Sequence, residues 1–557
     1  MQQLKKSENA DPNKLVSFIP SLTTHIKSFL PYVIDKENYD AVKYEGDTFF
    51  SSKTHEDYGN FLLAVNEFSN GKVEKALERM DYVTKNHPKF KGAHHLKIVI
   101  LAKLSAQKEY HAAYRNALID SLKAFPEDLD MKALLANHQI DKEGEKTKAL
   151  HIFQDIIHHR SENFDSWLDL AFAYLINQDL KMAETCLITS LKLNPTNLRA
   201  ILMGGIFLAE YGKYEQAIEL LEEGQKKFGD DKSLMRNLAL LNLQIGNRKK
   251  GWEYYCTIKH DDRVSLDRNP HTDEIKELKL KDIKRIKKLK NKKDNSVLVY
   301  FEQGVGDYIM FSRYLNLLSS YGFKVTAFGQ EDVIVLFKNC KEFKGVKFEH
   351  ILYPEDFKKF KYKSFIQDLP FLLMEEKIPH PTVFDTKVIL EKNKKFLSEF
   401  SSNFKKNTQK IGVSWKGNKR HVYDKLRSID IGLFSKIFKE NPDIQFFVID
   451  KGLNPYEKKE ISKYSNVINC EKYLNDWNKT TTICLQMDQM VTVDTSLGHM
   501  GGTLNVPTNI LIANNNDWRW GIKKTDSEWY KSVKLFRQTE FFKWEPVIEK
   551  VIKFLKK

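Results

Sequence analysis

The sequence predicts an α-helical solenoid joined to a pair of α/β domains. Three observations carry this. The first half shows a 34-residue period, with Ala149, Ala183 and Ala217 each 34 residues apart. At 297–318, VLVYFEQGVGDYIMFSRYLNLL, the pattern changes from purely helical to strand, Gly-rich turn and helix. IGVSWKGN, 411–418, then repeats the strand-and-small-turn opening and starts a second series of strands alternating with helical segments.

With 557 residues the chain has room for three or four domains, and 41% hydrophobic and 12% aromatic residues supply real cores, so a disordered chain is excluded. No run of about 18 uninterrupted apolar residues occurs and the opening MQQLKKSENADPNK lacks a signal-peptide apolar region, so the expectation is a cytoplasmic protein. The formal charge of +15 comes mostly from dispersed lysine, which marks solvated faces rather than a nucleic-acid footprint. The exception is KDIKRIKKLKNKK, 281–293, with eight Lys/Arg against one Asp, which leaves open a peripheral contact with anionic lipid. The five cysteines, Cys186, Cys256, Cys340, Cys470 and Cys484, show no C-x-x-C spacing and no paired His, so neither a zinc site nor a disulfide framework is implied.

Residues 1–56 hold short apolar runs broken by Pro20 and Pro31 and read as an N-terminal extension. From 57 to 256, Trp167, Leu170, Ala171, Tyr174, Ala183, Leu187 and Pro195 occupy successive positions of one helix–turn–helix unit. That pattern resembles a tetratricopeptide repeat. Weaker copies anchor on Ala64 and Ala76, on Ala102 and Leu118, and on Ala239 and Gly251, which makes five to six repeats. Small residues belong where paired helices pass closely, and a solenoid of this kind offers a concave face to a protein partner; a spacer or dimerisation arm is the bland alternative. Residues 257–295 lose the periodicity and read as a basic linker with one short helix.

The domain at 296–395 opens with the buried-strand run Val297–Phe301. Gly304 and Gly306 make the turn, and Asp307 stands where a helix N-cap belongs. FKVTAF (323–328), VKFEHIL (346–352) and SFIQDL (364–369) read as its further strands. A helix N-terminus at such a turn suits a phosphate or a developing anion. A dinucleotide fingerprint needs a third Gly where Ile309 stands, so NAD is disfavoured although Glu331 lies at the distance of a ribose acid. The domain at 408–557 has strands at IGVSW, IQFFVID (444–450), NVINC (466–470), MVTVD (490–494) and TNILIA (508–513). In DTSLGHMGGTLNVP, Asp494 ends a strand, Thr495 and Ser496 begin a helix, and Gly498, Gly501 and Gly502 permit close backbone approach. Two Rossmann-like halves with facing turns place a cleft at the strand C-termini.

FEQGVGDYIMFSRYLNLL, SWKGNKRHVYDKLRSID, VTVDTSLGHMGGTLNVPTNILI and DWRWGIKKTDSEWYKSVKLFRQ occur in an order and spacing that resembles bacterial proteins joining tetratricopeptide repeats to a glycosyltransferase. Their catalytic part looks like the lipopolysaccharide heptosyltransferase family. The resemblance spans about 250 residues of the C-terminal half plus the repeats. It implies a GT-B fold, a nucleotide-sugar donor held mainly by the C-terminal half, inversion at the anomeric carbon, and chemistry with no metal and no cofactor. Carried over by position, Asp307 matches the family's acidic residue proposed as general base on the acceptor hydroxyl. Lys416, Asn418 and Arg427 lie where the family contacts donor phosphates, and Asp494, Thr495, Ser496 and His499 match its D-T-x-x-x-H segment around the donor.

Phe301 departs from the family's usual Pro, Tyr308 from a small hydroxyl residue, and Gly498 from Ala or Ser. Tyr308 would narrow the acceptor side. Trp518, Arg519, Trp520, Trp529 and Tyr530 are candidates to line a sugar or nucleobase pocket, or to form core and interface. The function expected is sugar transfer from a nucleotide-sugar to a protein or cell-surface glycan acceptor recruited by the repeats. The alternative is a non-catalytic repeat scaffold with a degenerate glycosyltransferase-like half.

Overall fold

The computed structural model describes residues 52–556, apart from short stretches at 106–109, 141–144, 178, 259–274, 289–294, 303, 339, 341–342, 344, 374–377, 383, 419–423, 515 and 541–542. Residues 1–51 of the N-terminal extension therefore lie outside the described residues, and 52–56 belong to the first helix rather than to the extension. The chain divides between Gly204 and Gly205 into two compact units.

The first unit is built of paired helices: α1 (Ser52–Ser69), α2 (Val73–Asn86), α3 (Lys91–Leu104), α4 (His111–Ala124), α5 (Leu129–Ile140), α6 (Lys146–His159), α7 (Phe164–Ile176) and α8 (Leu180–Leu193). Helix α9 (Leu198–Glu210) runs across the division. The 34-residue period is the period of close helix contact: Ala149 and Ala183, one period apart, are all but fully buried, as is Ala76 in the weaker first copy. Caps set the register. Asn163 accepts from Ser166 N at 2.9 Å and Asp179 from Met182 N at 3.1 Å, so α7 and α8 start where those side chains stand. Asp128 caps α5 through Met131 N (3.1 Å) and is also held by His95 (2.9 Å) and Lys91 (3.0 Å).

The second unit continues the helical repeat with α10 (Tyr214–Phe228), α11 (Lys232–Gln244) and α12 (Arg248–Thr257). Ala217 is fully buried, and Gly251, one period on, has no room at all: a Cβ there would lie 2.7 Å from Leu243 Cγ. After this come two parallel sheets. The first contains β1 (Lys276–Glu277), β2 (Ser296–Tyr300), β3 (Lys324–Phe328), β4 (Val346–Glu349) and β5 (Tyr362–Phe365) in the order β1-β5-β2-β3-β4. The second contains β6 (Lys410–Ser414), β7 (Gln445–Val448), β8 (Val467–Asn469), β9 (Gln489–Val493), β10 (Thr508–Ile512) and β11 (Val533–Arg537) in the order β11-β10-β9-β6-β7-β8. Every pairing among these strands is parallel. The second sheet starts in its middle and reverses direction between β6 and β9; in the first, after the two-residue edge strand β1, the order starts at β2 and reverses between β2 and β5, and such switch points open a crevice at the strand C-termini.

Three sequence expectations change. Asp307 is not the N-cap of its helix: Gly304 is, and Asp307 is the third residue of Val305–Phe311, hereafter α13. SFIQDL is a strand only to Phe365, because Ile366–Asp368 is a 3-10 turn. The repeats are also not a free-standing block ending at 256. Leu243 of α11 and Trp252 of α12 belong to the same apolar core as Phe311, Trp518 and Trp529, with Trp252 5.9 Å from Phe311 and 5.4 Å from Trp518.

Candidate functional site

The two switch points of the second unit face one another through the N-termini of two helices, α13 and Ser496–Thr503, hereafter α14. Their approach is limited by Gly306: a Cβ there would lie 2.8 Å from His499 Cδ2 and 3.5 Å from Ser496 Cα. Gly304 makes no such demand, since its nearest neighbour would be Asp307 Oδ2 at 3.6 Å.

From the first sheet, Asp307 reaches this crevice on the first turn of α13. Its Oδ2 accepts from Gly304 N at 3.0 Å, and its Oδ1 accepts from Gln367 Nε2 at 3.1 Å, from the turn after β5. The guanidinium of Arg519, from the second sheet's side, completes the set. The side chain is 16% exposed, so it borders solvent without being bathed in it. Burial pushes its pKa above the ordinary carboxylate range, although Arg519 and the Gly304 N–H pull the other way. Gln367 is itself fixed from α12, where the Tyr255 hydroxyl donates to Gln367 Oε1.

From the second sheet, Thr495 precedes α14 with its hydroxyl 3.3 Å from that of Thr492 and without capping the helix through its side chain. Arg427 donates from Nη1 to the Asp494 carbonyl at 2.9 Å and from Nε to Asp424 Oδ1 at 3.3 Å. Gly417 lies so close beneath it that a Cβ would meet Asp424 Oδ1 at 2.3 Å and Arg427 Nη2 at 2.5 Å. The Asp494 carboxyl is pushed up to about 6 by burial and by Asp517. His499 is held neutral, its pKa well below the usual value, by burial and by Arg519 and Arg313. Its ring stacks on Trp520 (centroids 5.2 Å apart), and its Nδ1 is 3.0 Å from the Tyr530 hydroxyl.

The other sequence-expected residues are placed differently. Lys416 is 8% exposed, and its ammonium is engaged by Glu457 Oε2 (2.7 Å) and the Gly452 carbonyl (3.0 Å). Asn418 is exposed on the loop after β6. Gly498 serves helix-on-sheet packing, since a Cβ would lie 2.7 Å from Ile510 Cδ1; Gly501 and Gly502 likewise back onto Thr508 and Tyr530. Tyr308 is buried, stacks on Phe301 (4.5 Å) and donates to its carbonyl (3.3 Å), so it does not line the acceptor side. The two unusual residues thus form one contact. Trp520, Trp529 and Tyr530 are buried as core.

Arg519, named from the sequence only among the candidates to line a pocket, stands at the centre of the crevice beside Asp307. Its Nη1 donates to both oxygens of Asp517 at 2.7 Å, its guanidinium carbon lies 4.8 Å from the Trp518 ring centre, and the side chain is 13% exposed. Burial works against its charge, and the carboxylates of Asp307, Asp517 and Asp494 overcome it, leaving the pKa raised. The only sequence signal was an Arg between two Trp in DWRWG. A cavity of about 300 Å³ lies at the end of β2 and β5, lined by Cys256, Lys279, Tyr300, Ser364, Asp368 and Phe371 among others, and none of the residues just described lines it.

No family model matches the chain, and no curated protein does. Solved structures similar to it include the type IV pilus biogenesis factor PilW, at 13% identity over 37% of this chain and 93% of that one, TM-score 0.32. A tetratricopeptide repeat protein from Parabacteroides merdae is 16% identical over 37% and 81%, TM-score 0.31. A thermophilic tetratricopeptide protein of Thermus thermophilus is 17% identical over 38% and 94%, TM-score 0.25.

Proposed function

We propose that the protein is an inverting, metal-independent glycosyltransferase of the GT-B type. It moves a sugar from a nucleotide-sugar to a protein or cell-surface glycan acceptor that the repeats recruit. One observation supports this above the rest: the two switch points meet with the Asp307 carboxylate between them, fixed by Gln367 on one side and Arg519 on the other. In the reaction, the acceptor oxygen bonds to the anomeric carbon from the face opposite the leaving group. Its proton passes to Asp307, and the bond to the nucleoside diphosphate breaks. Arg427 and the N-terminus of α14 supply positive potential for the departing diphosphate.

The rival reading, a repeat scaffold with an inactive α/β half, draws on Lys416, whose ammonium is buried against Glu457. A thermal-shift screen against UDP-, GDP-, ADP- and CMP-sugars separates the two. A ligand that binds the folded state raises Tm, so one nucleotide class should stabilise the protein and be turned over in the presence of EDTA. No stabilisation by any of the four would leave the scaffold.

A further inference from the structure

The Arg519 guanidinium makes two different attachments. Nη1 is anchored within its own half, donating to both Asp517 oxygens, while the Arg519 backbone N–H donates to Asp517 Oδ1 at 3.0 Å. Nη2 crosses the crevice to Asp307. The side chain lies over Trp518 and follows β10, on the strand-end side where ligands of doubly wound sheets bind. An Arg fork matches carboxylate and phosphate equally well in geometry. A carboxylate paired with a guanidinium is also a poor proton acceptor, because taking the proton forfeits the ion pair. In this arrangement the ion pair holds down the basicity that burial gives Asp307 until Nη2 finds another anion.

We propose that Arg519 is an interlock: its Nη2 holds Asp307 while the crevice is empty and passes to the diphosphate of the entering donor, so that donor binding frees the base. The idea rests on the donor reading above and adds to it an order of events, donor before proton transfer. Anchoring of Nη1 by Asp517 lets Nη2 change partner without moving the whole side chain. The donor would enter at the first turn of α14, which Thr495 does not cap through its side chain.

The test is calorimetric titration of the full chain with UDP, GDP, ADP and inorganic pyrophosphate, in wild type, Arg519→Gln, Arg519→Lys and Asp307→Asn. The nucleotide that binds wild type should bind Arg519→Gln at least tenfold more weakly. Arg519→Lys should fall between, as a point charge lacks the fork. Asp307→Asn should bind it several-fold more tightly, because the fork no longer has to leave a carboxylate. Equal affinity in wild type and Arg519→Gln would overturn the proposal while leaving the donor reading standing. Weaker binding in Arg519→Gln with no gain in Asp307→Asn would make Arg519 a plain ligand and end the interlock. If wild type binds none of the four, the diphosphate-donor reading and the interlock fall together. Should Arg519→Gln fail to fold, the Asp307→Asn titration decides alone.

Discussion

At the scale of single residues, Asp307 carries two duties that a substitution can separate. Asn at 307 keeps an acceptor for the Gly304 N–H, and Arg519 keeps both oxygens of Asp517, so stability should change by no more than about 1 kcal/mol. Turnover should fall by about a hundred- to ten-thousand-fold, the usual cost of losing a general base. Because its pKa is raised, wild-type kcat/KM should decline as pH falls through a value above the ordinary carboxylate range, and the Asn variant should lack that limb. Near-normal turnover in the variant would reduce Asp307 to a helix-end residue. Asp128 makes the opposite case, since His95, the Met131 N–H and Lys91 hold its carboxyl far below the usual range in spite of burial. A depressed folded-state pKa contributes stability that is present above the unfolded value of about 3.9 and is lost as pH falls toward the folded one. Asp128→Ala should therefore cost about 1–2 kcal/mol at pH 7, and the gap from wild type should close in acid melts; a constant gap down to pH 2 would contradict the assignment. Asp307 was legible because the glycine turn and the helix start lie within three residues of it. Arg519 was legible only as one pocket candidate among aromatics, and its pairing with Asp307 was not, because the partner lies 212 residues away and no local pattern records such a pairing.

At the scale of elements, the glycines of QGVGD look alike in sequence and differ in space. Ala at 304 meets nothing closer than Asp307 Oδ2 at 3.6 Å, an ordinary contact, and the backbone there has φ −95°, which any residue adopts. Ala at 306 drives a methyl into the His499 ring, which is wedged against Trp520 and cannot retreat. Gly306→Ala should cost about 1–3 kcal/mol by overpacking and should weaken nucleotide binding by spreading α13 from α14, whereas Gly304→Ala should leave both nearly unchanged. Melting curves and nucleotide titrations of the two variants side by side check this, and equal behaviour would remove Gly306 from the interface. The inner strands β2, β3, β6, β7, β9 and β10 were readable because buried parallel strands are near-continuous apolar runs. β11 was missed, as Lys534 and Arg537 interrupt it at the sheet edge, and β1 has only two residues, too few for any period. The tight glycines of α14 were read as room for phosphate; sequence does not tell whether a missing side chain faces a ligand or the helix's own sheet.

At the scale of the whole molecule, the period in the sequence marks where repeats end but not where the protein can be divided. The 34-residue pattern runs to Gly251, and a cut after 255 looks natural on that evidence. Two observations oppose it. Trp252 sits against Phe311 and Trp518, so α12 closes the aromatic wall under α13 and Arg519, and Tyr255 holds Gln367, which in turn holds Asp307. The last repeat is thus part of the α/β core and of the support of the base. Deleting residues 1–204 should leave the second unit folded and able to bind nucleotide, since it has its own core, while transfer to the natural acceptor should fall if the earlier repeats recruit it. Deleting 1–255 should instead expose that wall and give aggregated or low-melting protein; the single change Trp252→Ala should already cost about 3–5 kcal/mol. Tyr255→Phe, which keeps the ring and removes the hydroxyl, should leave Tm close to wild type yet lower kcat through the loosened Gln367. Size-exclusion profiles, melting temperatures and nucleotide titrations of the two truncations decide the matter: if the chain lacking 1–255 melts and binds like the chain lacking 1–204, the last repeat is only an attachment and its hold on Gln367 is incidental.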